Sequence, residues 1–338
     1  MLLLGIESSC DETSAAIVED GKNIISNVVV SQIKDHAMFC GVVPEIASRM
    51  HLERINEVID EAFKTAQLKF KDIDAVGIVY KPGLIGSLLV GLSTAKVFAF
   101  QFNVPLVPVN HIEAHLYAPH FEHNIPFPNI GLVVSGGHTL ITKSKSFIEH
   151  EIIGSTIDDA VGEAFDKIAK FYNLGYPGGP IIDQKAKKGD ENSFSFPKAK
   201  FKGQNPYQFS YSGLKTAVIY QQNKFLKKNH ENNLENILAS FQKTAIETLI
   251  ETVIRASNDF KINNVVITGG VSCNSYLRNR FTQIHEIHSH FASPKLCIDN
   301  AAMVGGLAYH LLKAGITADL SLNALSKIVR KGVSLNLF

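Results

Sequence analysis

The chain has 338 residues, 45% of them hydrophobic and 19% charged, which is enough apolar material for a large core in two domains or one bilobed unit. With 33 Lys plus Arg against 32 Asp plus Glu, the net charge is +1, so no overall field draws in a polyanion and any nucleic-acid contact must be local. Four cysteines, Cys10, Cys40, Cys273 and Cys297, show no Cys-x-x-Cys spacing, which argues against a disulfide scaffold or a zinc knuckle and fits a reducing cytoplasm.

The first residues, Met1 to Glu7, are apolar, have no basic n-region and reach an acid at position 7, so they predict a buried strand rather than a secretory signal. Residues 3–18 read as apolar strand, small polar turn, apolar strand. The stretch from Met50 to Gln67 carries Leu52, Ile55, Val58, Ile59 and Phe63 at helical spacing, which predicts a core-facing helix. The longest uncharged apolar segment, Pro82 to Ala95, ends at Lys96 and is too short and too rich in glycine to cross a bilayer, so no membrane span is expected.

His111 and His115 stand four residues apart, so on a helix they lie one above the other and can grip one ion. Asp299, directly before an Ala-rich apolar run, supplies a carboxylate that would complete a facial triad with coordination positions open for substrate. A metalloprotease also spaces two histidines by four, but places its base beside the first ligand. Here Glu113 follows His111 by two positions, and at about 100° per residue its side chain is turned roughly 200° away. The protease reading is therefore disfavoured.

Residues 130–142 repeat the strand-turn-strand theme, and Gly136 and Gly137 would let a phosphate approach the backbone closely. Two such hairpins suggest a duplicated fold whose halves face each other across a nucleotide cleft. From Thr156 to Lys167 the chain is densely polar. Asp158 is read as a cap for the helix that follows, and the Asp, Glu and Lys along that helix as solvated. Asp166, with Gly179 and Asp183, has the elements to grip a ribose diol. Ser193 to Ser212 lacks periodicity and reads as an irregular insertion, whereas Leu234 to Val253 is another core-facing helix. Val265 to Arg280 reads as strand, glycine turn, helix, with Asn274 placed to hydrogen-bond a ribose or base.

Seven blocks in order are more specific than any one of them. They are Gly-Ile-Glu-Ser-Ser-Cys-Asp-Glu-Thr at 5–13, Gly-Val-Val-Pro-Glu-Ile-Ala-Ser-Arg at 41–49, Asn-His-Ile-Glu-Ala-His at 110–115 and Val-Ser-Gly-Gly-His-Thr at 134–139, then Asp-Asp-Ala-Val-Gly-Glu-Ala-Phe-Asp-Lys at 158–167, Ser-Gly-Leu-Lys-Thr at 212–216 and Gly-Gly-Val-Ser-Cys-Asn at 269–274. Across almost the whole chain they resemble the tRNA threonylcarbamoyladenosine transferases, once labelled glycoproteases. The resemblance implies an α/β, two-lobed fold of the actin, Hsp70 and sugar-kinase type, with duplicated ribonuclease-H-like domains and an interlobe nucleotide cleft. Lobe I is expected at 1–125, lobe II at 126–299, and a C-terminal segment returning to lobe I at 300–338.

It also implies a reaction, in which threonylcarbamoyl-AMP donates its threonylcarbamoyl group to the N6 amine of adenosine 37 in tRNAs reading codons that begin with A, releasing AMP. Metal ligands are implied at His111, His115 and Asp299, for one divalent ion per subunit, Fe(II) by family habit although Zn(II) binds by the same logic. Nucleotide contacts are implied at Val133, Val134, Ser135, Gly136, Gly137, Asp166, Gly179, Asp183 and Asn274. A base is expected near the tRNA amine, and Glu12 with Asp11 beside it is the candidate. The runs Lys185 to Lys188, Lys198 to Lys202 and Lys224 to Lys228 are candidate tRNA phosphate contacts. Expected partners, besides tRNA and the adenylate, are a metal-free paralogue of the same fold, a small P-loop ATPase and a synthase that makes the donor, all in the cytoplasm. Three positions depart from the family's glycines: Cys40, Lys81 and Ala114. They bear on backbone angles, most of all at Lys81 if that position needs a positive φ. The remaining rivals are a small-molecule kinase or ATPase of the same fold and, less favoured, the metalloprotease.

Overall fold

The computed structural model describes residues 1–199, 201, 205–226 and 233–327. They form two units, one from Met1–Asn124, Lys145–His150 and a return of the chain that begins at Ala292, the other from Ile125–Ser144 and Glu151–Phe291.

In chain order the first unit contains strands β1 (Leu2–Glu7), β2 (Glu12–Glu19) and β3 (Asn23–Ser31), helices α1 (Ile33–His36) and α2 (Pro44–Ala66), strand β4 (Ala75–Lys81), helix α3 (Ile85–Phe102), strand β5 (Leu106–Asn110) and helix α4 (His111–Tyr117). The second holds β6 (Asn129–Val134), β7 (Thr139–Ser146), β8 (Glu149–Ser155), α5 (Val161–Phe171), α6 (Gly178–Ala186), α7 (Ser212–Leu226), α8 (Asn233–Phe260), β9 (Asn264–Thr268), α9 (Ser275–Thr282) and β10 (His288–Phe291), with the tip of the β7–β8 hairpin counted in the first unit. Helices α10 (Pro294–Cys297) and α11 (Ala301–Lys313) belong to the return into the first unit.

Each unit carries one five-stranded sheet, ordered β3-β2-β1-β4-β5 in the first and β8-β7-β6-β9-β10 in the second. The orders correspond strand for strand. In both, a hairpin (β1–β2, β6–β7) is antiparallel and the next strand across (β4, β9) is parallel to the first. The duplication expected from the two hairpins is therefore present.

Strands β1 and β2 are apolar on both faces because helices cover both. On β4 the neighbours Gly77 and Ile78 point to opposite sides. A Cβ on Gly77 would stand 2.6 Å from Ala308 of α11, and Ile78 lies under Gly91 of α3. Helix α11 lies closest at Gly5, where a Cβ would be 2.2 Å from the Ala301 carbonyl oxygen. Only the missing side chain lets the helix start there. Helix α3 has the length and apolar content of a membrane-crossing helix; Leu88, Leu92 and Ala95 are buried inside the unit, whereas Val97 and Phe100 are exposed.

In the second unit, α5 and α8 pack ring on ring at Phe165 and Phe241, with centroids 5.0 Å apart, and Phe209, Tyr211 and Leu249 are buried in the same core. The helices expected at 50–67 and 234–253 are present and longer than their apolar stripes. Described residues between Ser193 and Ser212 form no regular element beyond an isolated bridge from Phe209 to Thr156.

Two sequence expectations are corrected. Asp158 does not cap the helix that follows it, which starts at Val161 after Ala160. Its carboxylate accepts the N–H groups of Tyr211 (2.8 Å) and Ser212 (3.3 Å), holding the start of α7 more than fifty positions on. The strained position is Cys40, not Lys81. Lys81 ends a strand, whereas Cys40 has φ 54 and ψ 40, the left-handed region in which glycine is at ease.

Candidate functional site

Helix α4 begins at His111 because Asn110 ends β5 and its side-chain oxygen accepts the Ile112 N–H at 2.9 Å, an N-cap. One turn then stacks His111 against His115, their rings 4.6 Å apart and nearly perpendicular. Asp299 arrives from 184 positions beyond His115, just before the N-cap of α11. That helix start is pinned to the sheet: the Ala301 N–H donates to Ser14 Oγ (2.9 Å), the Ala302 N–H to Asn27 Oδ1 (3.3 Å), and Asn300 caps Met303 (3.2 Å).

The Asp299 Oδ1 atom thereby stands 2.9 Å from His115 Nε2 and 3.6 Å from His111 Nε2. One ligand atom from each of the three residues lies within 4.8 Å of the others. Atoms bound side by side about 2.1 Å from one ion are about 3 Å apart, so small side-chain turns suffice for a shared ion. One further observation fits. Burial drives the His111 imidazole toward neutrality, yet Asp299 and Glu7 outweigh it and hold its pKa at about 9. A place that stabilises an imidazolium so strongly is one that favours a cation.

Glu7, at the end of β1 and fully buried, was not singled out from sequence. Its Oε2 lies 3.0 Å from His111 Nδ1, and its Oε1 accepts the Ser9 N–H at 2.6 Å. The signal was present, since an acid closing an otherwise apolar buried strand needs a partner. Glu12, the expected base, opens β2 and accepts from Ser31 Oγ at 2.9 Å. Burial, then repulsion from Asp11 and Asp299, pushes its carboxyl well above the ordinary range. Glu113 is buried too, and burial, only partly offset by Lys81, pushes it up to about 8. Among the described residues it does not join the group formed by His111, His115 and Asp299, which agrees with the disfavoured protease reading.

The remaining predicted residues lie in the second unit. Val133 and Val134 bury their side chains in the core and bring only backbone to the end of β6. The turn that follows is closed by Ser135 N–H to the His138 carbonyl (2.8 Å) and His138 N–H to Ser135 Oγ (3.1 Å). Its tip is open: a Cβ on Gly136 or Gly137 would meet nothing within 4 Å. Below the turn, Gly162 of α5 lies so close that its Cβ would be 2.5 Å from the Ser135 carbonyl oxygen.

Asp166, Asp183 and Asn274 hold adjoining helix starts in place. Asp166 accepts the Gly178 N–H at 2.7 Å at the head of α6, where Gly179 is open to an approaching group. Asp183 of α6 accepts from the Ser275 hydroxyl (2.9 Å) and N–H (3.1 Å) at the head of α9. Asn274 caps α9 through the Leu277 N–H (3.0 Å) and donates to Gln242 of α8 (2.8 Å). Gln242 was missed because it sits inside the helical stripe of α8 and looks like any core-flanking polar residue.

Of the lysines named as phosphate contacts, Lys200, Lys202, Lys227 and Lys228 lie outside the described residues. Lys198 is engaged with Glu251 at 2.6 Å. Polar residues 158–167 are more than a solvated face, since Asp159 pairs with Lys167 (2.8 Å) and with Lys215 (2.6 Å) of α7.

Solved structures resemble the fold at low identity. HypF from T. kodakarensis matches over 93% of this chain and 48% of its own, with TM-score 0.63 and 15% identity. A ROK hexokinase from Thermus thermophilus matches 93% of this chain and all of its own, with TM-score 0.50 and 13% identity. These likenesses show the two-lobed fold alone. Sequence relatives are far closer. A tRNA N6-adenosine threonylcarbamoyltransferase of Brachyspira hyodysenteriae is 50% identical over 336 residues, 99% of each chain, and one of Staphylococcus saprophyticus is 49% identical over 95% of this chain and 94% of its own. The family model described as TsaD, tRNA N6-adenosine threonylcarbamoyltransferase, matches residues 23–306. With a 50% identical relative aligned over 99% of the chain and the family model matched over residues 23–306, the chain belongs to the tRNA N6-adenosine threonylcarbamoyltransferase family.

Proposed function

We propose that the chain works as a metal-dependent enzyme that carries the threonylcarbamoyl group of threonylcarbamoyl-AMP to the N6 amine of adenosine 37 in tRNAs reading codons that begin with A, with AMP as leaving group. The observation that carries the metal-dependent part is the meeting of His111, His115 and Asp299, distant in sequence, in one buried group within a chain matched by this family.

The donor is already activated, so the chain's task is orientation and charge stabilisation, with no covalent intermediate on a side chain. The 135–137 turn, bare at its two glycines, takes the phosphate of the adenylate on its backbone. Asp166 and Asp183 take ribose hydroxyls on their carboxylate oxygens, with Gly179 leaving room for the sugar. Asn274 has a second amide hydrogen for an acceptor on the base. Glu12, its affinity for a proton raised by burial, takes the proton leaving the tRNA amine, and Asp11 keeps that affinity high by repulsion. His111, His115 and Asp299 would hold a divalent ion, which would supply Lewis acidity toward the donor. Two imidazoles and a carboxylate suit Fe(II), and Zn(II) is accepted by the same donor set.

A net charge of +1 leaves tRNA affinity to local basic patches and to help from other proteins. A metal-free paralogue and a small P-loop ATPase, in the cytoplasm, fill that role, and a separate synthase makes the donor. Likeness to a hexokinase at 13% identity gives no support to a kinase reading. The test is nucleoside mass spectrometry of tRNA incubated with threonylcarbamoyl-AMP, with and without each partner. Threonylcarbamoyladenosine should appear at position 37 and vanish with chelator, and product formation unaffected by rigorous metal removal would overturn the metal-dependent part.

A further inference from the structure

A carboxylate with no exposure to water is costly unless its lone pairs are met. Glu7 meets that condition inside the first unit: one oxygen accepts the Ser9 N–H at 2.6 Å and the other stands 3.0 Å from His111 Nδ1. A carboxylate oxygen only accepts. If Nδ1 carried no proton, two lone pairs would face each other in a dry interior, so Nδ1 carries the proton and donates it to Glu7. Ser9 Oγ, 3.2 Å from the same nitrogen, then also accepts and cannot decide the tautomer alone. With Nδ1 committed, the lone pair of the neutral ring lies on Nε2, the atom turned toward Asp299.

We propose that Glu7 is a positioning residue of the metal centre, fixing His111 as the Nδ1–H tautomer and so presenting Nε2 to the cation. The inference rests on the His111–His115–Asp299 reading above. It assigns a carboxylate from β1 to a role that ligand spacing does not reveal, because Glu7 touches no metal. It also explains why β1 ends in an acid. The ring is locked from behind by a strand in the middle of the sheet, and outer partners of this kind typically change metal affinity by about 10- to 100-fold.

The glutamine variant is a sharp probe. Glu7 offers two acceptors to two donors, and an amide offers one acceptor and one donor. Whichever way the amide of Glu7→Gln is turned, either Ser9 N–H or His111 Nδ1–H faces an N–H group. Zn(II) is the probe metal, its affinity measured by chelator competition in wild type, Glu7→Gln, His111→Ala and the double variant, with metal-free thermal melts alongside.

Glu7→Gln should bind Zn(II) about 10- to 100-fold more weakly. In the His111→Ala background the same change should alter affinity less than about twofold, since a residue acting through His111 has nothing left to act on. Weakened binding in His111→Ala with wild-type binding in Glu7→Gln overturns the Glu7 assignment alone. An equal loss in both backgrounds overturns it as well, by showing a general rather than a His111-directed effect. Wild-type binding in His111→Ala strikes the metal centre itself and Glu7 with it, so the two failures are distinguishable. A measurement on the wild type needs no variant to fold: ring nitrogen shifts of His111 in the Zn(II)-loaded protein should show a protonated Nδ1 and a metal-bound Nε2. Metal on Nδ1 overturns the proposal.

Discussion

The two units present the same hairpin in opposite ways. Between β1 and β2 the turn is sunk in the protein, with Ser8 and Ser9 buried beside a buried Glu7. Between β6 and β7 the turn stands open, with Gly136 and Gly137 exposed. One copy of the motif became an anchor for charged side chains and the other a bare stretch of backbone. A duplicated fold thus yields two local settings without a change of topology: buried polar side chains at one turn and open backbone at the other.

Removing one metal ligand should break the comparison most violently. His115→Ala or Asp299→Ala is expected to lower tRNA modification by more than about 100-fold and bound metal in parallel, since ligands matter at least as much as their outer partners. The circular dichroism spectrum should stay native, because neither side chain fills the apolar core. Nucleoside and metal mass spectrometry on the same samples check this.

The buried histidine on the hairpin tip of the first unit gives the next effect. Burial pushes the pKa of His150 down to about 4. The unfolded chain binds that proton near pH 6.5 and the folded chain does not, so stability falls as pH drops from about 6.5 and levels off below about 4. The full loss is up to about 3 kcal/mol, at 1.36 kcal/mol per pKa unit. Urea denaturation at pH 7 and pH 4 should show a smaller drop for His150→Gln than for wild type.

A matched pair of glycine changes sharpens the contrast between turns. Gly5→Ala drives a methyl group into the Ala301 carbonyl, backbone against backbone, and should cost about 1–3 kcal/mol. Gly162→Ala meets the Ser135 carbonyl oxygen of an open turn, which can yield outward. It should cost less in stability and raise KM for the adenylate more. If both cost the same and KM is unmoved, the open turn is neither pliant nor part of the nucleotide grip. Asp158→Ala, which frees the head of α7, should cost about 1 kcal/mol by the same urea assay. The smallest effect belongs to Cys40→Gly, which relieves a left-handed residue and should raise stability by less than about 1 kcal/mol, because glycine's extra chain entropy offsets part of the gain.

Local pattern revealed much of this molecule. Both hairpins, the long helices α2 and α8, the strand-turn-helix at 264–282 and the helical pairing of His111 with His115 all follow from spacings within a few residues. What stayed hidden depends on distant partners. No spacing tells that Ser14 and Asn27 hold the first N–H groups of α11 and so aim Asp299, or that Asp158 serves a helix beginning at Ser212 rather than the one beside it. Cys40 was underestimated for a different reason: a family glycine can mark either a left-handed angle or a tight contact, and only the backbone tells which. The residues expected to touch nucleotide were legible as chemistry, but their commitments to Gly178, Ser275, Leu277 and Gln242 were not.

Asp299 reaches its place only once α11 has docked on β1. A ribosome makes both histidines long before it makes that aspartate. Until Asp299 and the helix behind it emerge from the exit tunnel, the nascent polypeptide offers two imidazoles, and its sheet lacks the cover that α11 provides. The meeting of His111, His115 and Asp299 is thereby coupled to near-completion of synthesis, and truncated products that stop short of α11 lack the helix that holds Asp299 in place.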